Sequence, residues 1–313
     1  MPNEQTKRLT MGAMMIALFT ILLAVSFYVP ILNIVTSFFI ALPIIWYSVK
    51  FDRNSAILVT VVSMGMSFFV GGLLALPLAF IHAPLGLVIG DSIRRKKSKL
   101  YLFIAAGMMF LFTTVVQYLV AVLLMGINPI EEFMVMVRES YEQSGNMLER
   151  YGALPEGYDK LVAETLSMFE IVLPSIIIIA VFVSALIIII VNLPVLRRLG
   201  VDVPKFPPFS EMRLPKAVLW YYLVVLIVSL FVELEKGTFA FMVFANATIV
   251  LRGLLFLQGI SLIHFYIQEQ KWPKWVIIMS TILAFPLQSF VLLLGVIDLG
   301  FNIRSFMKDM NRK

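Results

Sequence analysis

The sequence predicts an all-α fold: a polytopic transmembrane helical bundle of eight or nine membrane segments. Three observations carry this reading. The 313 residues are 60% hydrophobic and 14% charged, too little charge to coat a soluble domain. Nine apolar runs approach the ~20 residues a helix needs to cross ~30 Å of hydrocarbon. Lys and Arg concentrate in alternate connecting segments, as they do where loops are retained in the cytoplasm.

The runs cover about 9–28, 31–48, 55–71, 73–90, 100–126, 171–193, 216–234, 238–267 and 275–297. The first follows Lys7 and Arg8, but it outlasts the ~15-residue core of a signal peptide and others follow, so it reads as a helix that stays. The short third and fourth runs meet at Gly71-Gly72, which predicts a tight reversal. Placing the N-terminus in the cytoplasm puts sixteen basic residues inside, including the cluster "RRKKSK" at 94–99. Only Arg138, Arg150, Lys160 and Lys236 fall outside. The ninth run strains this scheme, because a full crossing exports Arg304, Lys308, Arg312 and Lys313. Either the tail is exported, or the run containing Pro286 and Gln288 turns back within the membrane, or another segment is not a true span.

Residues 127–170 form an external acidic insert with nine carboxylates and three basic residues, in a chain of net charge +6. Asn128, Pro129 and Glu131 have the spacing of a helix start: an N-cap, a proline at N1, and a carboxylate that reaches back to the cap. Ile130, Phe133, Met134, Val137 and Tyr141 then recur at helical spacing, and a second stripe runs through Leu161, Thr165, Leu166 and Phe169. This predicts a helical hairpin, either a cap over the bundle or a lid over a binding cavity. An acidic lid favours cationic ligands.

Polar residues at membrane depth are costly. Arg252 sits mid-run, ~21 Å from each end at ~1.5 Å per residue and beyond snorkelling reach, so it is expected to face protein or water and be paired. It is a candidate anion partner or structural lock. Gln117, Asn33 and His82 are candidate polar contacts to a small solute, and equally candidate interhelical hydrogen-bond partners. With no cysteine and only two histidines, the chain lacks thiolate and metalloprotease signatures. No nucleophile-elbow, phosphate-loop or paired intramembrane aspartate pattern is present either. No enzyme activity, cofactor, metal or nucleic-acid partner is expected.

Residues 200–215 carry Pro204, Pro207, Pro208 and Pro215, which deny the segment a continuous helix and favour extended geometry. With Phe206 and Phe209 available to the interface and Lys205, Arg213 and Lys216 to headgroups, it reads as a rigid elbow or a docking surface. It divides a six-helix core, 1–199, from C-terminal helices and a basic tail, 216–313.

The stretches "KFPPFSEMRLP", "FLQGISLIHFY" and "LGVIDLGFNIR" resemble the YybS family of uncharacterised bacterial membrane proteins. Residues 1–199 distantly resemble the substrate-binding S components of energy-coupling factor transporters in helix count and orientation. In "AMMIA", Ala13 and Ala17 match the small-residue pattern with which S components dock a coupling subunit. The acidic insert and the C-terminal helices depart from that pattern. The resemblance implies a bacterial cell-membrane protein that binds or helps to transport a small solute, with a membrane coupling subunit and its ATPases as partners. The alternative is a non-transporting scaffold or regulatory subunit for envelope or signalling proteins, whose basic loops meet membrane lipids or an acidic partner.

Overall fold

Proline decides where the apolar runs become helices. The computed structural model describes residues 4–204, 208–301 and 303–310. After α1 (Glu4–Tyr28), the second apolar run is two helices, α2 (Pro30–Ser37) and α3 (Leu42–Lys50). Pro30 and Pro43 each stand in a first helical turn, where a missing N–H costs nothing, and Pro43 cannot continue α2. At the break the Leu42 amide bonds to Phe39, which frees the Phe38 carbonyl. The buried Asn192 side-chain amide donates to that carbonyl at 2.7 Å.

Next come α4 (Arg53–Gly71), α5 (Leu76–Arg94) and α6 (Lys99–Met125). Asp52 caps α4 through the Ser55 amide at 3.1 Å, and Ser98 caps α6 through the Tyr101 amide at 3.2 Å. The reversal between α4 and α5 turns at Gly72, whose φ of 59° suits glycine. α5 lies close against α3 because Gly86 and Gly90 present no side chain: a Cβ on Gly90 would stand 2.6 Å from the Ile45 carbonyl oxygen.

The acidic insert opens with α7 (Pro129–Arg150). The Glu131 amide and the Asn128 side-chain oxygen, and in return the Asn128 amide group and the Glu131 carboxylate, make reciprocal 3.4 Å contacts. The second arm is no separate helix. It runs without interruption into the sixth apolar run as α8 (Tyr158–Arg198), 41 residues and ~62 Å long at ~1.5 Å per residue. α9 (Lys216–Phe231), α10 (Phe239–Glu269), α11 (Lys274–Ala284), α12 (Gln288–Phe301) and α13 (Ile303–Met310) complete the chain. Among the described residues, seven helical segments are long and apolar enough to cross a membrane, six of them before residue 199. An eighth is added if α11 and α12, bent by 110°, form one span. α9, at 16 residues, is shorter.

The chain divides into two compact units. One contains Met1–Gln143 and Ile178–Phe206, with a core of Ala41, Ile45, Leu85, Ile89, Ala106, Ile188 and Ile189 and a second cluster around Phe19, Leu23 and Ile44. The other contains Ser144–Ile177 and Pro207–Lys313, with a core of Leu219, Leu255 and Leu299 and a cluster of Ile260, Ala284 and Val291. The arm of the acidic insert at 144–177 therefore groups with the C-terminal helices.

Candidate functional site

The second unit is organised around a buried charge. Arg304 on α13, 1% exposed, donates from Nε to Asp298 Oδ2 at 2.9 Å, and its Nη2 lies 2.8 Å from the same oxygen. The Gln258 side-chain amide donates to that oxygen at 2.5 Å. Arg304 also donates from Nη1 to the Ser210 carbonyl at 2.5 Å and from Nη2 to Ser261 Oγ at 3.1 Å, and its guanidinium stands 5.4 Å from the centre of the Phe265 ring. Two cationic nitrogens and an amide on one carboxylate oxygen make a charge-assisted network, the arrangement that a buried ion pair needs to offset its desolvation.

The same centre fastens the proline-rich segment. The Leu214 amide donates to the Gln258 side-chain oxygen at 2.9 Å, Ser210 Oγ donates to the Gln268 side-chain oxygen at 2.6 Å, and Ser261 Oγ lies 2.7 Å from the Phe209 carbonyl. The Phe209 ring meets His264 edge-on at 5.4 Å. Residues 209–214 are thus seated on the C-terminal half of α10. Lys205, Phe206 and Pro207 lie outside the described residues.

Two glycines let α12 approach. A Cβ on Gly259 would fall 1.9 Å from the Val291 carbonyl oxygen, and one on Gly295 2.0 Å from that of Leu255, so the backbones of α10 and α12 touch. α11 descends along the same half of α10, with Thr281 hydrogen-bonded to His264 at 2.8 Å and Phe285 against Phe256. The chain then bends at Pro286 and returns, so that Leu299 packs on Leu219 and Arg304 reaches Ser210. The 110° bend fits either a broken span or a turn-back within the membrane, and it brings Asp298 and Arg304 to Gln258 and Ser261 of α10.

Among the clefts lined by the described residues are two large enough for a small molecule. One, of about 630 Å³, lies in the second unit. It is walled by Met168 and Val172 of α8, residues 229–234, and Phe241, Phe244, Ala245, Thr248 and Ile249 of α10. Its polar groups are Glu233, Ser229 and Thr248. Both hydroxyls already donate to their own helix, Ser229 to Val225 at 2.8 Å and Thr248 to Phe244 at 2.7 Å, so they offer lone pairs as the carboxylate does. The other, of about 650 Å³, lies in the first unit between the start of α1 and the end of α3.

The residues singled out from sequence are dispersed. Gln117 donates to the Pro77 carbonyl at 3.1 Å, and buried His82 contacts the Leu78 carbonyl one turn back on its own helix at 2.8 Å. Asn33 is exposed on α2. Arg252, in the other unit, is exposed one turn beyond Thr248 and Ile249, with no ion pair among the described residues. Ala13 and Ala17 are both exposed on α1. No cluster of metal-ligating side chains occurs among the described residues. Sequence reasoning missed the Asp298–Arg304 centre, placing Arg304 only among the charges after the ninth run. The signal was there in an aspartate inside "LGVIDLG" and in Gln258 and Ser261 one turn apart within an apolar helix.

Long apolar helices, broken spans and a polar centre closed within a helical unit define an integral, polytopic α-helical membrane protein. The chain belongs to the family described as "Predicted membrane protein (DUF2232)", whose model matches residues 17–299. It is similar to "Uncharacterized protein YybS" of Bacillus subtilis (strain 168), 30% identical over 315 residues that cover 97% of this chain and all of that protein. This bears out the resemblance to the YybS family. No solved structure matches the chain. The resemblance of residues 1–199 to S components has no counterpart in these matches.

Proposed function

We propose that this protein binds a small amphipathic solute carrying an amine or other hydrogen-bond donor, and presents it for transport rather than transforming it. The observation that carries the proposal is the 630 Å³ cleft, whose apolar wall ends in side-chain acceptors: the Glu233 carboxylate and the lone pairs of Ser229 and Thr248. Such a lining favours a donor or cation with an apolar body and disfavours an anion. It supports the cationic preference read from the acidic insert, since Met168 of the insert and Val172 just beyond it form a wall. Arg252 is not among the residues that line this cleft.

In the same reading the N-terminus and the proline-rich segment face the cytoplasm of a bacterial cell and the cleft opens outward, as the placement of Lys and Arg implies. The chain carries no ATPase motif. Energy for movement would come from an ion gradient or from a coupling subunit docked on the exposed Ala13–Ala17 face of α1. The test is thermal unfolding of the purified full-length chain against small aromatic amines, vitamins, and matched neutral alcohols and carboxylates. A saturable shift with amines, abolished in Ala245→Trp, reduced in Glu233→Gln and kept in Arg252→Ala, supports the proposal. Shifts that ignore the two cleft variants, or none at all, leave the scaffold reading in place.

A further inference from the structure

The cleft of the first unit carries a different chemistry. It is lined by Glu4, Gln5, Lys7, Arg8 and Met11 of α1, Trp46 and Lys50 of α3, and Phe51 and Asp52 of the connection to α4. Its floor is fixed by contacts between distant parts of the chain. Arg8 Nη1 donates to Asp52 Oδ1 at 2.9 Å, the Tyr47 hydroxyl donates to the Arg8 carbonyl at 3.2 Å, and Arg94 Nη1 donates to the Phe51 carbonyl at 2.6 Å. Asp52 is fully committed. The Ser55 amide and hydroxyl, and then Arg8, hold its carboxyl down to about 2.

With Arg8 and Asp52 paired, the lining cations left are Lys7 and Lys50, both exposed and in no ion pair among the described residues, against the single carboxylate Glu4. Trp46 forms a partly buried wall, and its indole N–H makes no hydrogen bond among the described residues. Met11 and Phe51 add apolar surface. The cleft therefore offers two ammonium groups beside an apolar wall that includes Trp46. It does so where α1 begins and α3 ends, the depth at which headgroups meet a membrane protein.

We propose that this cleft binds the phosphate headgroup of an anionic phospholipid, with Lys7 and Lys50 on the phosphate and the acyl glycerol region against Trp46 and Phe51. The site is independent of the solute cleft in the second unit and of any transport.

The test uses the full-length chain in neutral detergent micelles, followed by thermal unfolding as dioleoylphosphatidylglycerol, dioleoylphosphatidylcholine or inorganic phosphate is added. The expected result is a saturable upward shift with phosphatidylglycerol alone. Its apparent affinity should fall about tenfold or more in Lys7→Gln/Lys50→Gln. It should be retained in Lys7→Arg/Lys50→Arg and in Lys96→Gln/Lys97→Gln, which removes equal charge from another loop. Four results overturn the proposal: no shift with phosphatidylglycerol, an equal shift with phosphatidylcholine, an equal loss in the Lys96/Lys97 variant, or a full effect from inorganic phosphate, which would make this a site for a free anion.

Discussion

Removing either charge from the buried centre should destabilise the second unit more than any surface substitution. At 2.8 Å and an effective dielectric constant of about 20, the gross attraction between Arg304 and Asp298 is about 6 kcal/mol, most of which offsets desolvation. Loss of one partner leaves the other charge buried and unpaired, at a cost of ~3–5 kcal/mol. Arg304→Met also deprives the Ser210 carbonyl and Ser261 of a donor, so it belongs at the upper end. The double variant Asp298→Leu/Arg304→Met removes both charges and should recover much of the loss. The assay is equilibrium unfolding of the purified chain in mild detergent titrated with dodecyl sulfate. Single losses below ~1 kcal/mol, or a double variant equal to the sum of the singles, would refute the idea that the pair is a closed, interdependent unit.

Two further outcomes follow from the same unit. Gly259→Ala and Gly295→Ala each drive a methyl into a backbone carbonyl, so each should cost about 1–3 kcal/mol or more by forcing α12 away from α10, whereas Gly253→Ala, with open space around it, should cost little. A topology reporter fused after Lys313 should report the same side of the membrane as one inserted in the segment 208–214, because Arg304 and Ser210 are hydrogen-bonded at one end of α10. Opposite sides would rule out the turn-back at Pro286.

Composition and run length made the helices legible, since ~20 apolar residues in a chain must find lipid or one another. They left the breaks unread. Pro43 and Pro286 interrupt their runs, while Pro84 sits within α5, and a proline's effect depends on what receives the freed carbonyl. At the first break the receiver is Asn192, 154 residues further along the chain, which no local pattern announces. The capping contacts at Asn128 and Glu131 were legible because all their parts lie within four residues. The close approaches at Gly86, Gly90, Gly259 and Gly295 were not, because a glycine in a membrane helix reveals its role only against the neighbouring backbone. For the sites, single polar residues at depth drew attention to Arg252 and Gln117, while the buried charge centre and the clefts are built from groups that converge from separate segments.

Arg304 is the second residue of the short helix α13, yet it completes the packing of residues laid down almost a hundred positions earlier. Until α13 has emerged from the ribosome, Asp298 lacks its cation and the Ser210 carbonyl its donor. The second unit can therefore close around its buried charge only once α13 is present, and a chain cut before Arg304 would leave Asp298 buried without its cation.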